Sequence, residues 1–157
     1  NYIDLNSSNT ASVNSSVWYA QPTSDVFSFG ANPRGNGSGN SIIAYCFTSI
    51  SGYSKVGTYS GTGVSGNNIV AGFEPGFIMI KNTTSANSWF MYDNKRDTTN
   101  PNSAVLLADS SYQEQTETFR GINLNSNGFE AGNSVNYNYN GTNQSGQTYI
   151  YLAIKEN

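Results

Sequence analysis

The amino-acid sequence predicts an all-β protein: an antiparallel β-sandwich or jelly-roll-like module, preceded by a partial second copy at the N-terminus. The apolar runs are short, rich in Val, Ile, Phe, Tyr and Trp, and interrupted by Gly, Asn or Pro, which is typical of strands joined by turns. Helical periodicity is weak along the whole chain. The predicted strands are residues 26–29, 42–47, 54–59, 69–73, 77–81, 89–92, 104–108, 119–124, 135–139 and 149–154.

The clearest local pattern is "GFEPGFIMIKNTTSANSWFMYD", residues 72–93. Pro75 followed by Gly76 suits the centre of a type II turn. The polar stretch 82–87 predicts the loop of a hairpin between two strands. Residues 77–80 are apolar at every position, which predicts a strand covered on both faces.

Composition excludes several classes of protein. Only 11% of the residues are charged and the net charge is −3, so the basic surface expected of a nucleic-acid-binding protein is missing. No apolar stretch approaches the length of about 20 residues needed for membrane insertion. Cys46 is the only cysteine; it forms no internal disulfide and is predicted to be a small buried hydrophobic residue. The start at Asn1, without Met, predicts a processed chain or a piece of a longer one.

Parts of the chain resemble each other. "SGNSIIAYCF" (38–47) is repeated as "SGQTYIYLAI" (145–154) at an offset of 107 residues, and "SDVFSFG" (24–30) as "SNGFEAG" (126–132) at 102. "YIDLNSS" (2–8) loosely matches "VLLADSS" (105–111) at 103. We therefore predict that residues 1–47 are the C-terminal half of a preceding repeat and that 48–157 are a complete module. Two alternatives are strands packed on the main module, and chance similarity caused by the shared Asn, Ser and Gly content.

The repeat predicts which side chains share a face, because alternate residues of a strand point the same way. The core faces are predicted to be Ile43, Tyr45 and Phe47 in the first copy, and Ile150, Leu152 and Ile154 in the second. The opposite face of the first strand carries Ile42, Ala44 and Cys46. Cys46 stands where the second copy has Ala153, which favours packing over chemistry.

Three longer strings resemble a known domain family. They are "SIIAYCFTSISGYSKVGTYSGTG", "VAGFEPGFIMIKNTTSANSWFMYDNKRD" and the closing "SNGFEAG…SGQTYIYLAIKEN". They resemble a domain of unknown function found in tail-fibre-like and other virion-associated proteins of marine bacteriophages, and the resemblance covers nearly the whole chain. It implies a phage-derived structural module located in the virion, with no catalytic residues to transfer. It also implies that the domain sits inside a longer protein.

Catalytic residues are scarce. The chain has no His, which excludes Ser-His-Asp and Cys-His arrangements and His-ligated zinc. The remaining candidates are the carboxylates Asp93, Asp97, Glu114 and Glu117, and sequence spacing does not establish the separation that a glycosidase needs. We predict a protein that is not an enzyme and has no cofactor and no metal site.

A charged cluster and several tyrosines are candidate ligand contacts. The segment "YDNKRD" contributes Tyr92, Asp93, Asn94, Arg96 and Asp97, whose side chains suit sugar hydroxyls or a protein partner. The alternative is that Arg96 pairs with Asp93 or Asp97 and orders the loop.

Tyr137 and Tyr139 lie in a stretch rich in Asn and Gly, as Tyr112 lies among Ser and Gln. A tyrosine in such surroundings offers a ring and a hydroxyl to a partner. The alternative is an ordinary sheet with one hydrated face.

Together these patterns predict a virion structural and adhesion module, from a tail fibre or another surface appendage. The alternatives are a carbohydrate-binding domain and a polysaccharide-degrading spike domain. The half-module at the N-terminus leaves an apolar strand to be covered, so we predict a homo-oligomer, by analogy a trimer, with Ile42, Ala44 and Cys46 at the contact. Other virion proteins and a host-surface glycan are the further predicted partners.

Overall fold

A computed structural model describes residues 1–116, 120–132 and 141–156. The chain divides into two compact units: Asn1–Ile3 with Ala11–Cys46, and Asp4–Thr10 with Phe47–Asn157. The predicted strand at 135–139, with Tyr137 and Tyr139, lies outside the described residues, as does Glu117.

The larger unit is a β-sandwich, and the predicted all-β class is confirmed. Its strands are β1 (Ser54–Ser60), β2 (Asn67–Val70), β3 (Pro75–Asn82), β4 (Trp89–Asp93), β5 (Ala104–Leu107), β6 (Gln115–Thr116), β7 (Ile122–Asn125), β8 (Gly128–Ala131) and β9 (Thr148–Lys155). A six-stranded sheet has the order β1-β9-β3-β4-β5-β6, and a three-stranded sheet has the order β2-β8-β7. All the pairings are antiparallel.

The last strand, β9, occupies an interior position of the larger sheet. It pairs with β1 on one side and β3 on the other, so that Leu152 lies opposite both Val56 and Met79. Both edges of β9 are therefore hydrogen-bonded. The larger sheet depends on the last strand in the chain, which pairs with strands far from it in sequence.

The core lies between the two sheets. The larger sheet contributes side chains from β3, β4, β5 and β9, and the smaller sheet contributes them from all three of its strands. The buried apolar cluster consists of Ile69, Phe73, Ile78, Ile80, Phe90, Tyr92, Val105, Ile122, Phe129, Ala131, Tyr149, Tyr151 and Ala153.

Aromatic rings connect the two sheets at one end of this core. Tyr59 of β1 stacks on Tyr149 of β9 with ring centroids 4.9 Å apart. Phe129 of β8 meets Tyr59 and Tyr151 edge to face, at 5.9 and 5.2 Å. The buried hydroxyls are satisfied, because Tyr59 donates to the carbonyl of Thr142 at 2.6 Å and Tyr149 donates to a carbonyl in the same segment. Such pairs add about 1 kcal/mol each beyond their buried area.

The hairpin predicted from residues 72–93 is present, but the turn predicted at Pro75-Gly76 is wrong. β3 and β4 pair across the polar loop, with Met79 opposite Met91. Pro75 and Gly76 belong to β3, where the pairing with β9 shifts register between Pro75 and Phe77. The left-handed glycine of the preceding turn is Gly72, at φ 89°. The alternating burial of β3 shows one fully buried face and one partly buried face.

The predicted core face of the last strand is also corrected. Tyr149, Tyr151 and Ala153 face the core, whereas Ile150 and Ile154 lie on the other face and are half-buried. Leu152 is on that other face too and is nevertheless buried. β9 is apolar on both faces, so alternation alone did not identify the inner one.

The smaller unit has little regular structure, and two predicted strands are not present in it. Residues 26–29 contribute one isolated bridge, between Trp18 and Phe29, and residues 41–47 form no strand. A four-residue helix, α1, spans Pro33–Asn36. Cys46 is exposed rather than buried, because no neighbouring strand covers it.

A short N-terminal segment packs on the sandwich, which the sequence did not predict. The carbonyl of Asp4 accepts the indole N–H of Trp89 at 3.1 Å, and the carbonyl of Ser8 accepts the backbone N–H of Asn87 at 2.8 Å. The ammonium of Lys81 is fully buried and donates to the carbonyls of Asn82 and Ser8, at 2.7 and 3.3 Å. Burial lowers the pKa of Lys81, against the opposing charge of Asp109.

Candidate functional site

The candidate contact segment begins at the end of β4. Asp93, the last residue of β4, accepts the backbone N–H groups of Lys95 and Arg96 on Oδ1, at 3.0 and 2.8 Å. An Asp side chain that accepts hydrogen bonds from residues two and three positions later closes a local turn. The sequence D-N-K-R-D therefore folds into a tight turn that presents its long cationic side chains outward.

Arg96 lies between two carboxylates. Its Nε donates to Oδ2 of Asp93 at 2.5 Å, and one terminal nitrogen donates to Oε2 of Glu114. The Arg96 side chain is 29% accessible. The sequence left open whether Arg96 contacts a ligand or pairs with a neighbouring carboxylate. The structure shows an ion pair with Asp93 and a second ion pair with Glu114, from the loop before β6.

The electrostatics of Asp93 suit an ion pair better than proton transfer. Partial burial by itself would raise the pKa of Asp93, but the hydrogen bonds and charge of Arg96, with the N–H of Lys95, outweigh it and lower the pKa. A general acid needs a carboxyl group that stays protonated near the working pH. Asp93 is therefore poorly placed to donate a proton to a glycosidic oxygen.

A second set of charges lies beside the first. Lys95 pairs with Glu156, and the amide of Asn94 donates to the other oxygen of Glu156 at 2.6 Å. The hydrogen bonds from Lys95 and Asn94 lower the pKa of Glu156. The polar groups of the turn are thus used for contacts within the molecule, and the Lys95 side chain remains 73% accessible.

Two of the predicted contact residues are buried, and we remove them from the candidate site. Tyr92 is fully enclosed in the core, and its hydroxyl donates to the carbonyl of Arg120 at 2.7 Å; burial raises its pKa far above the usual value. Asp97 is 9% exposed. Tyr92 belongs to the inward face of β4. The sequence pattern indicated one charged cluster at residues 92–97 and did not identify this inward orientation.

Asp97 organises the loop that follows the turn. Its Oδ1 accepts the N–H and hydroxyl of Thr99, at 3.0 and 2.5 Å, and its Oδ2 accepts the N–H groups of Ser103 and Ala104, at 2.7 and 2.9 Å. Burial by itself would raise the pKa of Asp97, but these hydrogen bonds outweigh it and lower the pKa to about 2. Both oxygens are saturated, so Asp97 has no free acceptor for a ligand.

The exposed part of the candidate site is the loop at residues 111–116, which lines an open surface depression. Tyr112 in this loop is 71% exposed, and Glu114 carries the ion pair to Arg96. Asp93, Asn94, Arg96, Glu114 and Tyr112 are the described residues that could meet a ligand here. The sequence identified Tyr112 and Glu114 separately but gave no reason to expect Glu114, and with it the loop that carries both residues, to contact Arg96.

The predicted assembly contacts are all exposed. Ile42, Ala44 and Cys46 lie in the stretch 41–47, every residue of which is exposed. They alternate with Ile43 and Tyr45, whose exposed fractions are 78% and 82%.

Neither a metal cluster nor a membrane-spanning helix is present in the part of the chain that the structure describes. No group of three or more His, Cys, Asp and Glu side chains there could hold a metal ion. No helix within residues 1–116, 120–132 and 141–156 is long and apolar enough to cross a bilayer.

Comparison with protein families matches the whole chain, residues 1–157, to the family described as "Domain of unknown function (DUF7483)". The predicted resemblance to a domain of unknown function is confirmed, and its origin in a phage tail fibre stays a prediction. No curated protein and no solved structure gave a significant match.

Proposed function

Because the chain belongs to this family of domains of unknown function, we propose a function from its own residues: a non-enzymatic structural and adhesion module of a bacteriophage virion. It forms part of a tail fibre or another surface appendage and acts by assembly and by host-surface contact. The resemblance of the motif strings to virion-associated domains supports the proposed location.

The observation that carries the proposal is the apolar surface of the smaller unit. Val13, Tyr19, Ile43 and Tyr45 are each more than 60% exposed. Four large apolar side chains exposed on so small a unit exceed the single exposed residues of an ordinary surface and indicate an interaction site. A module that keeps such residues is suited to association with other β-structure.

The charges of the larger unit support a function without catalysis. Asp93 and Glu114 both bind Arg96, and Asp97 is saturated by four hydrogen bonds. The lowered pKa values of Asp93 and Asp97 are opposite to the raised value that a glycosidase acid requires.

The assembly part of the proposal predicts a homo-oligomer, by analogy a trimer. We expect sedimentation velocity at micromolar concentration to give a single species heavier than the 16.9 kDa chain. Because the contact is apolar, replacing Val13 and Tyr19 with Ser should shift the population to monomer, while the matched change of Val64 and Val70 to Ser, on exposed residues of the larger unit, should leave it unchanged. A monomeric wild-type chain at this concentration would contradict the homo-oligomer.

The adhesion part predicts weak glycan binding at the loop that carries Tyr112. On an array of bacterial surface glycans we expect binding in the millimolar range, lost in Tyr112→Ala and retained in Tyr53→Ala, which removes another exposed tyrosine. The ring of Tyr112 supplies the stacking face and Arg96 a charged donor.

Soluble polysaccharide incubated with the protein should keep its length. Depolymerisation that disappears in Asp93→Asn or Glu114→Gln would replace this proposal with the polysaccharide-degrading alternative.

A further inference from the structure

A turn in the smaller unit has the same geometry as the turn before β9. In residues 37–40 the N–H of Asn40 donates to the carbonyl of Gly37 at 3.2 Å. In residues 144–147 the N–H of Gln147 donates to the carbonyl of Gln144, also at 3.2 Å. The third residue is a left-handed glycine in both, with φ 77° at Gly39 and 73° at Gly146. These glycines are 107 residues apart, the offset at which the following sequences match.

The segments before these turns also correspond. Residue 18 pairs with residue 29 across an antiparallel bridge, as Ile122 of β7 pairs with Ala131 of β8. Phe29 aligns with Ala131 at the offset of 102. The smaller unit therefore contains a rudimentary counterpart of the β7-β8 hairpin.

A third correspondence joins the hairpin to the turn. The amide of Asn36 donates to the carbonyl of Gly30 at 3.2 Å. The counterpart of Asn36, 107 residues later, is Asn143, and the counterpart of Gly30 is Gly132. Asn143 packs closely against Gly132: a Cβ atom added to this glycine would lie 2.3 Å from the Cβ atom of Asn143. In both units an Asn just before the turn contacts the glycine that ends the hairpin.

The residues after the turn differ completely between the two units. Residues 148–155 form β9, enclosed between β1 and β3, whereas residues 41–47 pair with nothing among the described residues and are exposed. Tyr45 is 82% exposed and its counterpart Leu152 is 8% exposed. The counterpart of Cys46, Ala153, is fully buried.

We infer that residues 41–47 are a docking strand for an open half-module: a partner that presents strands like β1 and β3 but has no β9 of its own. The strand completes the partner's sheet by pairing on both edges, as β9 does here. Ile42, Ala44 and Cys46, the counterparts of Tyr149, Tyr151 and Ala153, face the partner's core. The inference goes beyond the proposed function, because an open half-module, and not a second copy of this chain, covers residues 41–47.

The sandwich of a second copy of this chain does not fit the role. In this chain β1 and β3 are already joined through β9, so a β9-like strand finds no vacant position between them. The partner must supply that position in a half-module that has no last strand of its own.

The test adds a half-module to the full chain. A copy of residues 48–103, which carries the β1 to β4 sequences and no cysteine, is joined before Asn1, so that Cys46 remains the sole thiol. In the unextended chain we expect rapid reaction of Cys46 with a disulfide reagent. In the extended chain the reaction should be slower by about tenfold or more, and the amides of residues 42–47 should gain hydrogen-exchange protection.

Two further variants control the folding of the extension. Ile80→Asp in the added copy alone should restore rapid reaction, because it disrupts the added core. Ala44→Cys and Ile43→Cys, each in a Cys46→Ala extended chain, should differ, with position 44 the less reactive because its counterpart faces the core. Protection of residues 148–154 checks that the original module stays folded.

Equal reactivity of Cys46 in the extended and unextended chains, with residues 148–154 still protected, would overturn the inference. Slow reaction in the unextended chain, accompanied by an oligomer in sedimentation, would also overturn it, because a second copy would then cover the strand; that result would leave the proposed function intact. A monomeric unextended chain with a reactive Cys46 that becomes protected on extension would contradict the homo-oligomer and support the docking strand.

Discussion

Replacing Phe129 with Ala is expected to lower the free energy of unfolding of the sandwich by about 3–5 kcal/mol. Phe129 is 1% exposed and contacts the rings of Tyr59 and Tyr151 from the opposite sheet. Its removal leaves a cavity between two sheets that are held apart by the neighbouring rings, so collapse can recover little of the lost packing. Urea denaturation followed by far-UV circular dichroism measures the change.

The matched control is Phe27→Ala. Phe27 is the counterpart of Phe129 in the smaller unit, at the offset of 102 residues. It is 38% exposed, and its ring contacts Trp18 and Phe29. We expect a loss below about 1 kcal/mol. Similar losses for the two variants would mean that Phe27 is as buried in solution as Phe129, which would contradict its exposed position in the structure.

The strands were predictable where a partner lies close in sequence. The polar loop at residues 82–87 identifies the β3-β4 hairpin, because both strands and their connection lie within one short window. The strand propensity of residues 41–47 is just as high, yet these residues form no strand, because hydrogen-bond partners on both sides are required and the sequence does not specify them. Propensity predicts an extended segment, and pairing decides whether it becomes a strand.

The candidate site was less predictable because its parts meet through tertiary structure. Nothing in the sequence places Glu114 beside Arg96 or Glu156 beside Lys95, since each pair comes from separate loops or strand ends. The composition of 92–97 identified a charged cluster correctly but did not separate the inward Tyr92 from the outward Arg96. Separating Tyr92 from Arg96 requires knowing that β4 ends at Asp93. Strand boundaries are the least certain part of a sequence-based prediction.

Replacing Asp97 with Asn is expected to destabilise the sandwich by about 2–4 kcal/mol at neutral pH. The amide has the size of the carboxylate but only one acceptor oxygen, so in either orientation its NH₂ group faces donors that now bind the carboxylate: the N–H groups of Ser103 and Ala104, or the N–H of Thr99. At least one backbone donor would therefore lose its acceptor. Asp93→Asn is the matched control, because it removes a carboxylate four positions away that is partly exposed and ion-paired; we expect a loss of no more than about 1 kcal/mol.

The same residue should control the acid stability of the protein. The pKa of Asp97 is lowered from 3.8 to about 2 in the folded protein, so the unfolded chain binds a proton more readily than the folded one between these values. The contribution of Asp97 is therefore fully present above about pH 4 and is lost as the pH falls toward 2. Wild-type unfolding free energy should fall across this window by about 2 kcal/mol more than that of Asp97→Asn. Parallel curves for the two proteins between pH 4 and 2, or an Asp97→Asn variant as stable as Asp93→Asn at neutral pH, would show that the four hydrogen bonds of Asp97 do not hold this loop in solution.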